Sequence, residues 1–150
     1  MTIPLTLVLD TNVVLDWLVF HDAAMESLRD AVEQRRVQVI THTAAIDELR
    51  RVLAYPQCKL CAADQEQLLN RYCVFANQAT MPPAFALGNL LLPEGFPRCR
   101  DTDDQHFLAL AYHARADRLL TKDRGLLRLK KRAARFGVTV LSPKDFVAQL

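Results

Sequence analysis

The sequence predicts an α/β domain in which a parallel sheet is covered by helices on both faces. Short, apolar, β-rich segments alternate along the chain with longer segments of helical periodicity, the pattern of consecutive βαβ units. The first segment, Leu5–Leu9, is apolar apart from Thr6, as expected of a strand buried on both sides. In such sheets ligands bind beyond the carboxyl ends of the strands, so residues that follow strands are the first candidates for a site.

The first half of the chain is predicted to hold two strands and three helices. Asp22 is the predicted N-cap of a helix through about Arg35, because apolar residues recur at helical spacing after it. Val37–Ile40 is a second β-rich segment, and the polar residues after it cap a helix that Pro56 stops. Asp64–Gln78 is predicted as a further amphipathic helix on the same criterion.

The second half begins with the least regular part of the sequence. Residues 80–100 are rich in proline, and only a short helix near Ala84–Leu90 is predicted there. Thr102 and Gln105 fit a capping box that opens a helix to about Ala116. The remaining predicted elements are a strand at Arg118–Thr121, a short basic helix at Arg124–Lys131 and a strand at Val138–Leu141.

Composition places broad bounds on the protein. A chain of 150 residues with 51% hydrophobic and 24% charged residues predicts one globular domain over residues 1–150. The net charge of +2 does not by itself indicate nucleic acid, although basic residues concentrate between Lys122 and Arg135. No apolar run is long enough for a membrane span, and the start lacks the basic region of a secretory signal, so we expect a cytoplasmic protein without membrane contact.

The four cysteines carry a weak signal. Cys58 and Cys61 form a CxxC pair with no second pair at matching spacing. We expect reduced thiols that pack as small hydrophobic groups, with a zinc or redox role for the pair as the alternative.

Four acidic residues occupy the ends or inner faces of predicted elements. Asp10 ends the first strand, Asp123 comes two residues after the strand Arg118–Thr121, and Asp104 opens a strongly periodic helix with its apolar positions on the same face. Glu48 lies on the apolar stripe of its helix. Each has a local alternative, a helix cap or a boundary carboxylate that reaches water. Together they predict one shared acidic site.

Several carboxylates at one sheet edge need a counter-charge. Two of them 4 Å apart repel by roughly 4 kcal/mol at an effective dielectric of about 20, against a total domain stability of about 5–15 kcal/mol. With oxygen ligands and no His or Cys expected nearby, Mg²⁺ or Mn²⁺ is favoured over zinc. His106 is expected to turn away from Asp104. A metal held in this way can activate water for phosphodiester hydrolysis.

Three blocks of the sequence, in order from about Leu5 to Leu141, carry a family resemblance. LVLDTNVVLDWL, THTAAIDELRRVL and DTDDQHFLALAYHARADRLLTKDRGLL are similar to the signature blocks of the PIN-domain family of ribonucleases. The likeness is closest to the bacterial branch described as toxins of toxin–antitoxin pairs. The resemblance implies a three-layer α/β/α sandwich on a parallel sheet. It also implies metal-dependent endonuclease cleavage of single-stranded or structured RNA by water, without a covalent intermediate.

The resemblance also implies roles for individual residues. The catalytic divalent-metal site would consist of Asp10, Glu48, Asp104 and Asp123. Asn12 and Thr121 would orient these carboxylates by hydrogen bonds, or else serve as simple turn residues. Asp101 could join as an auxiliary ligand, and the third ligand could be Asp101, Asp103 or Asp104. Residues near the acids that could contact RNA phosphates are Arg50, Arg51, Lys122 and Arg124.

Partners and competing functions follow from the same likeness. We expect RNA as the substrate, with an antitoxin protein and a second copy of the chain as partners. The apolar segment around Trp17 is expected to lie in the core or in a dimer contact. The alternative is a catalytically silent PIN fold that binds RNA or protein. A phosphatase with Asp10 as nucleophile is disfavoured, because that chemistry wants an acid at position 12, where this chain has Asn12.

Overall fold

Five parallel strands form a central sheet with the order β3-β2-β1-β4-β5. The computed structural model of the protein describes residues 3–150, except for the side chain of Ala86, so Met1 and Thr2 of the predicted domain lie outside the described residues. The strands are β1 (Leu5–Leu9), β2 (Val37–Thr41), β3 (Ala76–Gln78), β4 (Arg118–Leu120) and β5 (Val140–Leu141).

Helices connect the strands and cover the sheet. They are α1 (Thr11–Leu18), α2 (Glu26–Glu33), α3 (Thr43–Leu53), α4 (Ala62–Phe75), α5 (Gln105–His113), α6 (Arg124–Leu127), α7 (Lys130–Ala134) and α8 (Pro143–Val147). Short 3₁₀ segments lie at Ala23–Met25, Pro56–Cys58, Pro83–Leu87 and Thr102–Asp104. Among residues 3–150, no helix combines the length and the apolar character needed to cross a bilayer.

Each face of the sheet buries its own hydrophobic cluster. Successive residues of a strand point to opposite faces, so Leu7 and Leu9 of β1 enter one cluster and Val8 enters the other. The first cluster includes residues of α1, α2, α4 and α8, and the second those of α5, α6 and α7. The predicted fold class, a three-layer α/β/α sandwich on a parallel sheet, is confirmed.

Several local predictions were wrong or incomplete. Helix α1 and helix α8 were not predicted, and the last three residues of the predicted Asp64–Gln78 helix form strand β3 instead. The capping box does not form. The side chain of Asp101 accepts the N–H of Asp103, while Gln105 bonds the backbone of the preceding loop.

The topology places the candidate residues at one edge of the sheet. The chain leaves β1 toward β2 and β3, then returns to the other side of β1 for β4 and β5. The carboxyl ends of β1 and β4 therefore flank the point where the strand order reverses, which is where open α/β sheets bind ligands. Leu9 pairs with Leu120 in register, so Asp10 and Thr121 emerge side by side.

Candidate active site

Asp10 is held at the carboxyl end of β1 by contacts to both oxygens. It is the N-cap of α1, and its Oδ1 accepts the N–H of Val13 at 3.0 Å. Its Oδ2 accepts the hydroxyl of Thr121. Only 5% of the residue is exposed, so the carboxylate is fixed inside the protein and not free to turn toward solvent.

Thr121 links Asp10 to Asp123. Its fully buried hydroxyl donates to Asp10 and accepts the N–H of Asp123 at 3.0 Å. The Asp123 side chain caps α6, with Oδ1 accepting the N–H of Gly125 at 2.9 Å. One threonine thus sets the spacing between two of the predicted acids.

Asp104 meets Asp123 at the end of the sheet. Ligand atoms of Asp104, Asp123 and Cys99 all lie within 4.8 Å of one another. Asp101 is exposed and its Oδ1 is used by the Asp103 N–H, and Asp103 is exposed as well. Of the three neighbouring aspartates, Asp104 is therefore the one that shares a group with Asp123.

Cys99 is a member of this group that sequence reasoning missed, and the expectation of no cysteine near the acids was wrong. Its N–H donates to the side chain of Gln105 at 2.6 Å, which draws the loop before α5 toward the acids. Burial raises the pKa of the Cys99 thiol, and the nearby carboxylates of Asp104 and Asp123 add to the effect. The thiol is therefore protonated at neutral pH in the metal-free protein, and as a soft donor it suits Mg²⁺ or Mn²⁺ poorly.

Glu48 reaches the same edge from α3, with 17% of its side chain exposed. Its Oε2 accepts the hydroxyl of Thr11, the first residue of α1. Its Oε1 lies 3.9 Å from Nε2 of His106 on α5. Burial alone would raise the pKa of Glu48, but the contacts with His106 and Thr11 outweigh it and hold that pKa below its ordinary value.

His106, which the sequence predicts to turn away from Asp104, faces Glu48, a contact that the sequence does not predict. Its ring lies between Glu48 and a second histidine, His42, with His42 Nε2 at 3.0 Å from His106 Nδ1. His42 directly follows β2 and is 2% exposed. No spacing in the sequence relates two histidines 64 residues apart, which is why sequence reasoning could not find them.

Asn12 occupies a different place from the one expected. It is exposed, and among the hydrogen bonds of residues 3–150 its side chain makes none to the acids. Thr11 and Thr121 are the neutral side chains that donate to the carboxylates. A hydroxyl directly after a strand-ending Asp would have been the signal for Thr11.

The acids interact unfavourably with one another when no cation is present. Burial raises the pKa of Asp10 from 3.8 to about 6, and the charges of Asp123 and Glu48 add to that rise. Burial likewise raises the pKa of Asp104 to about 7, with further contributions from Asp101, a hydrogen bond with Asp123, and Glu48. Asp10 and Asp104 thus lie in an environment that disfavours negative charge, and the charges of Asp123 and Glu48 contribute to it.

The four basic residues predicted to contact RNA differ in their surroundings. Arg51 lines a cleft of about 580 Å³ together with Glu48, His106 and the exposed Tyr55. Arg50 is exposed on the same helix, outside that lining. Arg124 is exposed immediately after Asp123, whereas Lys122 forms an ion pair with the buried Asp16. Arg51 and Arg124 are thus better placed for a phosphate near the acids.

The donor set fits a hard divalent cation. Asp104, just before α5, and Asp123, in the β4–α6 turn, bring carboxylate oxygens within 4.8 Å of each other, while Asp10 after β1 and Glu48 on α3 interact with them through their charges. An ionised carboxylate keeps lone pairs beyond those that Thr11, Thr121 and Val13 occupy. Mg²⁺ and Mn²⁺ prefer such ligands. A bound dication would also offset the burial and the neighbouring negative charges that raise the pKa values of Asp10 and Asp104.

The parallel sheet and the carboxylates at its edge define an α/β domain with an acidic cluster that could hold a metal ion. The family model described as the PIN domain matches residues 6–125, about four fifths of the chain, so the chain belongs to the PIN-domain family. PIN domains are generally nucleases and usually use divalent metals. No curated protein matches the chain.

Proposed function

We propose that the protein is a divalent-metal-dependent endoribonuclease that hydrolyses RNA phosphodiester bonds. The observation that carries the proposal is the meeting of Asp104 and Asp123 within 4.8 Å, with Asp10 and Glu48 close enough to perturb their charge, in a PIN-domain chain. Buried, mutually repelling carboxylates destabilise a domain unless a ligand uses them.

The proposed roles follow from the contacts. Asp104 and Asp123 would hold the ion together with Asp10 and Glu48, and Asp101 is the auxiliary candidate. Mg²⁺ or Mn²⁺ bound there would polarise a phosphate oxygen and lower the pKa of the attacking water. Thr121 keeps Asp10 and Asp123 at a fixed spacing, and Thr11 orients Glu48. Cationic Arg51 and Arg124 would contact phosphates of the strand.

RNA as substrate and an antitoxin as partner are further parts of the proposal. Both are supported by the similarity of the three sequence blocks to the toxin branch, and RNA also by the exposed arginines beside the acids. Expression in a bacterial host should then slow growth, and Asp10→Asn should relieve that effect.

Cleavage of RNA by purified variants tests the proposal. The wild-type chain with Mg²⁺ or Mn²⁺ should cleave a mixture of single-stranded and hairpin RNAs, and chelation should stop it. Glu48→Gln and Asp123→Asn should lower the rate by on the order of 100-fold or more, because each removes a ligand charge. Asp30→Asn, which removes an exposed carboxylate on α2, is the matched control and should cleave normally.

The alternatives give different results in the same experiment. RNA binding without any cleavage at either metal would favour the catalytically silent binding module. Equal cleavage of DNA and RNA oligonucleotides would remove the restriction to RNA. Cleavage that survives Glu48→Gln and Asp123→Asn would show that the acids at the sheet edge are not the active site.

A further inference from the structure

Three side chains, one of them the predicted ligand Glu48, are joined by successive contacts. His42 follows β2, Glu48 lies on α3, and His106 lies on α5. His42 Nε2 is 3.0 Å from His106 Nδ1, and His106 Nε2 is 3.9 Å from Glu48 Oε1. The ring of His106 therefore touches the other histidine with one nitrogen and faces the glutamate with the other.

Glu48 at one end and the burial of His42 at the other limit which ring nitrogens can carry a hydrogen. Glu48 is an acceptor, so a lone pair on His106 Nε2 would face it unfavourably and an N–H there would face it favourably. When His106 is neutral, its Nδ1 is then the acceptor and His42 donates from Nε2. When His106 is protonated, both of its nitrogens donate and His42 Nε2 accepts. Burial lowers the pKa of His42 to about 4, so it is neutral at pH 7 and has a single N–H to give.

The surroundings fix the orientation of both rings. His42 is 2% exposed and packs edge-on against Phe85, with ring centroids 5.1 Å apart. His106 is 15% exposed at its side chain and stacks against Phe107 at 4.0 Å between centroids. A ring flip of His106 would break the 3.0 Å contact to His42 and leave a buried donor without its acceptor.

We propose that His106, oriented by His42, is a positioning residue that holds the Glu48 carboxylate in place for the divalent ion; this assignment rests on the proposed function. Thr11 donates to one oxygen of Glu48 and His106 faces the other, so the two contacts favour one orientation of the carboxylate. At 3.9 Å the His106 contact is longer than a hydrogen bond, and such contacts tighten when a site is filled. Groups that orient metal ligands typically contribute about 10–100-fold to metal affinity.

A pair of amide variants separates this role from a general role in stability. In His106→Gln the side-chain amide nitrogen reaches the position of Nε2, so the donor toward Glu48 is kept. In His106→Asn the amide reaches only the position of Nδ1, so that donor is lost. Mn²⁺ affinity is measured by electron paramagnetic resonance, and melting temperature in chelator reports the fold. His113→Asn, one histidine further along α5 in contact with the Leu90 carbonyl, is the matched control.

The expected result is a split between the two variants. His106→Asn should weaken Mn²⁺ binding by about tenfold or more, whereas His106→Gln and His113→Asn should stay within about threefold of wild type. Equal Mn²⁺ affinities for the Asn and Gln variants would overturn the assignment while wild-type metal binding and RNA cleavage left the proposed function standing. A wild-type chain that bound no Mn²⁺ would overturn both.

The proton arrangement can be read on the wild-type chain without any substitution. Long-range ¹H–¹⁵N correlation spectra at pH 7 in chelator should show a proton on His106 Nε2, the nitrogen that faces Glu48. A proton on His106 Nδ1 alone would overturn the assignment, because the ring would then present a lone pair to Glu48.

Discussion

Replacing Asp10 by Asn should stabilise the metal-free protein. The carboxylate is 5% exposed, and burial, reinforced by Asp123 and Glu48, raises its pKa from 3.8 to about 6. At about 1.4 kcal/mol for each pH unit, keeping it ionised costs the folded state roughly 3 kcal/mol. Weaker bonds from Asn to Thr121 and Val13 offset part of this gain, which leaves about 1–2 kcal/mol of added stability. For a domain of this size that is a rise of about 3–6 °C in melting temperature.

The sign of the effect depends on pH in a defined way. The pKa of Asp10 is higher in the folded state than in the unfolded chain, so its contribution to stability is greatest below pH 4 and is lost as the pH rises through about 6. Asp10→Asn cannot titrate. The free energies of unfolding of wild type and Asp10→Asn should therefore differ little near pH 4. The added stability of the variant should reach its full value at about pH 7.

Bound metal should make the wild-type protein more stable than Asp10→Asn, which reverses the order expected in chelator. A dication binds the wild-type centre and stabilises it by about 2.7 kcal/mol at a hundredfold excess over its Kd, while Asp10→Asn loses a ligand charge and gains less. Scanning calorimetry of both proteins at pH 4 and pH 7.5, with chelator and with Mn²⁺, measures all four differences. A variant that melts below wild type in chelator at pH 7.5, or equal Mn²⁺ stabilisation of the two proteins, would refute the reasoning.

Three further perturbations probe the surroundings of the centre. Thr11→Val should weaken Mn²⁺ binding about tenfold in a titration, because Glu48 loses its hydroxyl donor, and Thr11→Ser should restore it; no change would exclude that role. Lys122→Met should lower the unfolding free energy in urea by about 1–2 kcal/mol, since the buried Asp16 loses its cation; an unaltered midpoint would contradict this. Cys99→Ser should leave Mn²⁺ affinity within about twofold, because Mn²⁺ prefers the carboxylate oxygens beside it to a thiol. A sulfur-to-metal charge-transfer band in the Co²⁺-loaded wild type would instead place Cys99 among the ligands.

The parts of the fold that sequence could predict are those with a strong local pattern. β1 is a continuous apolar run, and α3 and α5 carry apolar stripes of helical period, so their positions needed no partner to be recognised. β3 has only three residues and continues directly from α4, so no proline, glycine or turn sequence separates the strand from the helix. It is a strand because its backbone pairs with β2, a contact that no periodicity encodes.

The same distinction holds for the candidate site. The acids at the ends of β1 and β4 could be selected from sequence, because parallel strands bring their carboxyl ends to one edge. The neighbouring residues that orient these acids could not be selected from sequence. Gln105 was expected to cap its helix, and in the structure it holds the loop that brings Cys99 to Asp104.

The sequence by itself determined the parallel α/β architecture and the acidic character of one sheet edge, because strand polarity and hydrophobic period are local properties of the chain. Only the tertiary structure decided that Asp104 and not Asp103 joins Asp123, that Thr11 holds Glu48, and that two distant histidines stand behind that glutamate. These are contacts between side chains of different elements. They depend on how helices pack against the sheet to within about an ångström, and that packing is set by the shapes of both hydrophobic clusters together.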